Sequence, residues 1–147
     1  MATGERSPDP LRGFKFRVQI DGISKLGFRE VSGLDAATDT VDYREGIDGN
    51  IRKLAGLPKF SHITLKRGIT ADLDIWKWRT AIIEGKIKDN RKDGQIILLD
   101  DEGNSAAEWT FTNGWPSKWT GPTFNATANE VSIDTLEIAH EGLNRTK

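Results

Sequence analysis

At 147 residues the chain has the length of one ordinary domain, enough to bury roughly two thirds of its unfolded surface. Lysine and arginine number 21 against 22 acidic residues, a balance that argues against a protein built to coat nucleic acid or an anionic membrane. There is no cysteine, which excludes disulfides and thiolate metal sites and suits a reducing cytoplasm. No apolar run approaches the roughly 18 residues of a membrane span and no basic stretch leads into an apolar one, so neither a membrane anchor nor a secretory signal is expected.

Residues 1–10, MATGERSPDP, are polar, carry Pro8 and Pro10 and show no periodicity; a flexible arm is expected there, with a single domain over 11–147. Phe14, Phe16, Val18 and Ile20 then alternate with Lys15, Arg17 and Gln19, the period of a strand with one buried face. Asp21-Gly22 is a turn signal, and KLGFREVSG, with Leu26, Phe28 and Val31, is expected to return as the second strand of an opening hairpin. Over 35–59 only Val41 and Tyr43 alternate, among Gly46, Gly49, Gly56, Pro58 and many charges. The expectation is a long loop, and loops of that length in compact domains are usually functional or disordered.

A strand is expected from Phe60 to Lys66, where Ile63 and Leu65 alternate with polar neighbours and the run ends on Lys66, Arg67 and Gly68. The period then changes. Leu73, Trp76, Thr80 and Ile83 fall on one helical face with Ile75, Arg79 and Ile82 beside them. Asp72 and Asp74 suit the positive N-terminal end and Gly85 suits the stop, which predicts one short helix over about 71–84 packed on a sheet. The remainder reads as strands and turns: a turn at KDNRKDG, the strand QIILLDDEGN with both faces buried at IILL, then SAAEWTFTNGW, PSKWTGP and NEVSIDTLEIAHEGL. In the last, apolar parity shifts between Val131, Ile133 and Leu136, Ile138, the mark of a bulge or of a strand serving two environments. The fold class expected is mainly β, an antiparallel sandwich or barrel with one short helix.

Few residues suggest chemistry. Lys66 and Arg67 before a helix could hold an anion, but the glycine spacings of phosphate loops are missing and Asp72 and Asp74 oppose negative charge; a solvated or partner-facing strand end is the other reading. Residues 89–100 place Asp89, Asp93, Gly94 and Asp100 at calcium-loop positions, yet Arg91 stands where an oxygen ligand belongs and Asp100 is shorter than the usual glutamate, so a plain turn at Asp93-Gly94 is the alternative. Asp100, Asp101 and Glu102 could also bind a divalent ion, but they lead into Gly103-Asn104, so a hairpin tip is the reading preferred. His62 and His140 lack a paired ligand or a nucleophile elbow, so catalysis is not expected. Trp76, Trp78, Trp109, Trp115 and Trp119 could stack on bases or sugars, or anchor a core or an interface. Asn125 and Asn144 match the glycosylation pattern, a match read as chance because no secretory signal is expected.

The succession DPLRGFKFRVQIDG, FREVSGL, DYREG, RKLAGLPKFSHITLKRGIT and EIAHEGL, over about residues 9–143, resembles the tail tube proteins of contractile-tailed phages and of related phage-derived injection systems. It departs from the family pattern at Ala55, where proline is common, and at His62, where asparagine is common; neither change removes a functional group. The resemblance implies a tail-tube-like domain similar to the hemolysin-coregulated tube protein of type VI secretion, with hexameric rings stacking into a hollow tube inside a contractile sheath. Implied partners are further copies of the chain, the sheath protein, a baseplate or tube initiator and terminator, and DNA or protein cargo in the lumen, with assembly in the bacterial cytoplasm and no cofactor. The loop at about 35–59 is then expected to reach an adjacent subunit or ring, with Tyr43, Arg44, Glu45, Lys53, Leu57 and Pro58 as stacking contacts. Lys66 and Arg67 would set register at a subunit boundary. The alternatives are a tube-initiating or tube-capping protein of the same assembly, or a small β-barrel that binds carbohydrate.

Overall fold

The structure, a computed structural model, describes residues 15–23, 27–47, 49–69, 73–127 and 132–147. The expected N-terminal arm lies outside these residues, as do Phe14, Leu26, Asp72 and Val131. Among the described residues the chain forms β1 (Phe16–Ile20), β2 (Glu30–Ser32), β3 (Ala36–Tyr43), β4 (Arg52–Phe60), β5 (Ile63–Gly68), α1 (Asp74–Ile83), α2 (Ile87–Asn90), β6 (Lys92–Leu99), β7 (Ser105–Thr120), β8 (Ile133–Ala139) and β9 (Gly142–Arg145). All strand pairs are antiparallel. The main sheet has seven strands in the order β1-β6-β7-β8-β5-β2 with β9 also on β7, while β3 and β4 pair only with each other. The fold is thus mainly β with two short helices rather than one.

The long strand β7 organises the sheet. Its first half pairs with β6, its second half with β8, and β9 continues β8 along the same register, as Trp115↔Ala139 and Thr112↔Gly142 show. The segments SAAEWTFTNGW and PSKWTGP, expected to be separate strands, are this one strand, because the β-bulge at Asn113 (φ 51°) bends it instead of ending it. The bend is held from both sides: the Asn113 backbone N–H donates to Asp93 Oδ1 at 3.0 Å and its side-chain amide donates to Glu141 Oε2 at 2.8 Å.

The core draws on both ends of the sheet order. Val18 and Ile20 of β1, Ile63 and Leu65 of β5, Ile96, Phe111, Leu136 and Ile138 form one buried cluster with Ile75 and Trp78 of α1, so the sheet curls round its own interior. Between the two sheet edges lies a cavity of about 300 Å³, lined in part by Phe16 of β1, Val31 of β2, Ile96, Leu98 and Trp109. The expected opening hairpin does not form. Asp21 and Gly22 do turn the chain, with Ile23 N–H on the Ile20 carbonyl at 3.0 Å, but β1 takes β6 as its neighbour over Phe16–Ile20 and β2 pairs with β5. The apolar run of β6 offers β1 five register pairs, whereas β2 is only three residues long.

Helix α1 ends where expected. Gly85 takes φ +84°, and the bonds Gly85 N–H to Ile82 O and Lys86 N–H to Ala81 O, both 3.0 Å, make a Schellman stop. Part of the expected turn KDNRKDG is instead α2, tied to α1 by the Trp78 indole N–H on the Asn90 carbonyl at 2.7 Å. Packing is tightest at Phe111, fully buried, whose ring lies against Gly94 and Gly114; a Cβ at Gly114 would sit 2.6 Å from the ring and one at Gly94 would run into it. Gly94→Ala is therefore expected to destabilise the chain by about 1–3 kcal/mol, since the ring has no room to retreat. Urea unfolding measures this, and an unchanged midpoint would contradict the packing described.

Candidate assembly interface

The segment 35–59, expected to be an irregular loop, is a regular two-stranded ribbon of β3 and β4 that projects from the sheet with nearly every residue exposed. Glycine and charge concealed its alternation. Ala37↔Lys59, Val41↔Leu54 and Tyr43↔Arg52 are opposed on one face, and Asp42↔Lys53 and Thr38↔Pro58 on the other. A β-bulge opposite Asp39, at Gly56-Leu57, adds Leu57 to the first face. That face exposes Val41, Tyr43, Leu54 and Leu57, with Leu57 at 75%, and the connection at the tip adds Ile47 and Ile51. Two strands without a covered face are marginal in water, and beyond their cross-strand neighbours these apolar residues are left in solvent.

Six of the eight residues expected to make contacts thus lie on the ribbon or its tip, divided between its two faces. Tyr43, Arg44 and Glu45 stand at the tip end, with the Tyr43 hydroxyl on Glu45 Oε1 at 3.2 Å, and Lys53, Leu57 and Pro58 lie along β4. Lys53 is held by Asp42 at 2.6 Å across the polar face. Val41 and Leu54, not singled out from the sequence, share the exposed apolar face and are legible in TVDY and RKLAGL once the two segments are paired.

The ribbon leaves the body through a pinned root. Gly33, before β3, has φ +86° and lies so close to the His62 carbonyl that a Cβ there would overlap it. His140, at the kink between β8 and β9, has Nε2 at 3.0 Å from the Ser61 carbonyl oxygen and Nδ1 at 3.1 Å from that of Gly142, with its ring tilted against Phe60. Phe60 therefore belongs to the end of β4, and the strand expected over Phe60 to Lys66 begins only at Ile63. The other histidine, His62, lies 3.4 Å from the Ser117 hydroxyl.

Lys66 and Arg67 do not form a surface pair. On the inner face of β5 and β8 the opposed residues are Ile63↔Ile138, Leu65↔Leu136 and then Arg67↔Asp134, so Arg67 points inward and is 6% exposed. Its Nε lies 3.4 Å from Asp134 Oδ1, and the Trp119 indole N–H donates to Asp134 Oδ2 at 3.4 Å. The parity shift expected along the last strand has this cause: Asp134 takes a core position to meet Arg67, while the β-bulge lies in β7 between Pro116 and Lys118. Arg67 is thus corrected from a subunit contact to part of the core. Lys66, on the outer face, pairs with Glu30 of the edge strand β2 at 3.6 Å.

The calcium-loop pattern comes apart, because Asp93 and Asp100 stand at opposite ends of the extended β6, roughly 24 Å apart at about 3.4 Å per residue. Asp93 holds the β7 bend and Asp100 Oδ1 accepts the N–H groups of Glu102 and Asn104 in the hairpin tip. Of the tryptophans, Trp78 is buried, Trp109, Trp115 and Trp119 are half-buried, and Trp76 is exposed with its edge against Trp119 at 5.0 Å. They anchor packing and form no open stacking platform.

Arg67→Ala should destabilise the chain by about 3–5 kcal/mol, since it strands the Asp134 carboxylate beside an apolar rung, whereas Lys66→Ala, at an exposed pair, should cost less than about 1 kcal/mol. Chemical unfolding of both variants checks this, and equal effects would contradict the inward orientation of Arg67.

Comparison with known proteins agrees with this geometry. The family model described as T4-like virus tail tube protein gp19 matches residues 12–144. The chain is similar to one in the sheath-tube complex of an extracellular contractile injection system in its extended state, with 29% identity, a TM-score of 0.83, and 93% of this chain and 91% of that one covered. It is also similar to a chain of the anti-feeding prophage tube-terminating cap, with 26% identity, a TM-score of 0.82 and coverage of 98% and 95%. Hcp1 from Flavobacterium johnsoniae shares the fold, at 16% identity, a TM-score of 0.56 and coverage of 89% and 94%. No curated protein sequence matches the chain. The match over nearly the whole domain shows that the chain belongs to the T4-like tail tube protein family, the structural rather than enzymatic tube proteins of contractile tails and injection systems.

Proposed function

We propose that the chain builds the shaft of an inner tube, six copies closing into a ring and rings stacking into a hollow conduit within a contractile sheath. The observation that carries this reading is the ribbon, an ordered element with an apolar face that its own chain leaves in water. A head-to-tail contact closes a ring when its rotation closes, and the two unlike faces of such a ring let stacking repeat without limit. The edge strands β1 and β2 offer the main-chain groups through which neighbours can join into a continuous wall.

The work is mechanical. The tube makes and breaks no bonds; the contracting sheath drives it through a target envelope and DNA or protein cargo passes through its lumen. Sheath, baseplate and terminator are the partners such a tube requires, and similar chains stand in structures described as a sheath-tube complex and a sheath/tube terminator. The likeness to a tube-terminating cap favours a second reading, in which the chain ends a tube instead of forming its shaft. Propagation separates the two, since a shaft protein stacks on itself and a cap stops at one ring.

Electron microscopy of the concentrated protein is expected to show six-fold rings and stacked tubes; rings that never stack would favour the cap. The double variant Leu54→Asp, Leu57→Asp should unfold within about 0.5 kcal/mol of the parent, because both sites are exposed in the single chain. Its threshold concentration for assembly should rise by at least about 100-fold, as two leucines contribute about 1.5–3 kcal/mol each when buried. Normal tubes from this variant would count against the ribbon as a contact.

A further inference from the structure

Helix α1 is apolar on two sides, centred about 140° apart. At about 100° per residue, Ile75, Trp78 and Ile82 share the side that faces the core, and Leu73, Trp76 and Ile83 share the other. The second set matches the face expected from the sequence to pack on the sheet, yet it points outward, with Leu73 56% and Ile83 65% exposed. A helix that is apolar on both sides is ordinarily covered on both.

We infer that the outer face of α1 is the seat for the ribbon of a second copy, with Val41, Tyr43, Leu54 and Leu57 of one chain lying over Leu73, Trp76 and Ile83 of another. The inference rests on the tube reading and identifies the surface that receives the ribbon. Among the described residues, every strongly exposed large apolar side chain except Phe124 lies on the ribbon and its tip or in the stretch from Ile69, after β5, through α1. Neither patch covers the other within one chain. A head-to-tail contact uses two unlike patches, one given and one received by each copy, so this pairing covers both with the same chain and leaves neither over. The lengths also agree. From Leu73 to Ile83 the helix face runs about 15 Å at 1.5 Å per residue. The ribbon face from Tyr43 to the bulge opposite Asp39 runs about 14 Å at about 3.4 Å per residue.

Because the chain contains no cysteine, an introduced thiol pair reports alone. Chains carrying Tyr43→Cys, Leu54→Cys or Leu57→Cys are mixed in turn with chains carrying Leu73→Cys, Trp76→Cys or Ile83→Cys, assembled, oxidised gently and separated without reductant. At least one mixture should give a disulfide-linked pair of unlike chains in assembled material, lost on dilution to monomers and absent when either variant is oxidised by itself. Leu54→Cys with Val31→Cys, at the apolar cavity between the sheet edges, tests the other possible seat. Tubes that form without any ribbon-to-α1 link, or with the Val31 link instead, would overturn the seat and leave the tube reading intact. A parent chain that forms neither rings nor tubes would overturn the tube reading and the seat with it.

Discussion

The fold depends on β7 being shared. One sixteen-residue strand pairs with β6 over its first half and with β8 over its second, and β9 carries the β8 register on past the kink at His140. Without the bend at Asn113 the two halves could not both reach the core. Its staples are Asp93 of β6, on one side of β7, and Glu141 of the link between β8 and β9, on the other. The core cluster, the Phe111 ring wedged against Gly94 and Gly114, and the inward rung of Arg67 and Asp134 all assume that curvature.

Against this body the ribbon obeys different physics. Its residues contribute no core, and its order as an isolated pair comes from cross-strand partners such as Val41 with Leu54 and from the ion pairs of Asp42 with Lys53 and Asp39 with Lys59. Exposed pairs of that kind are worth little each, so the ribbon sits at the low-stability end of the molecule until another surface covers it. The outer side of α1 shares that condition, with Leu73, Trp76 and Ile83 exposed in the single chain.

How far the sequence disclosed this depended on the range of the interactions involved. Period-2 alternation located β1 and β5, the apolar run IILL located the doubly covered β6, and Gly85 marked the end of α1, because each is a local signal. The partners of the strands were not legible: Asp21-Gly22 announces a turn but says nothing of whether the next strand returns beside β1, and β6, more than seventy residues away, takes that place. In α1 both apolar sides satisfy the helical period, so periodicity alone could not decide between Trp76 and Trp78; the bond from the Trp78 indole to Asn90 and the packing on β7 decide it. Arg67 misled for a related reason. A charge at a strand end looks solvated until the strand opposite it is known to carry Asp134 in register. The family resemblance pointed to this segment as a place for contacts, whereas the ribbon's regular pairing was hidden by its glycines and by the bulge at Gly56.

The pinned root of the ribbon has a mechanical consequence. Gly33 lying against the His62 carbonyl, and His140 reaching the Ser61 carbonyl, deny the ribbon a hinge where it meets the body. A lever clamped at its base does not swivel under load; it passes thrust directly into whatever holds it. Here that is β5 and β8, whose Ile63–Ile138 rung lies next to the clamp at the start of the buried ladder. Compression applied at the tip therefore passes straight into this buried ladder, and in the tube proposed above a column of such subunits would resist buckling without any one of them changing shape.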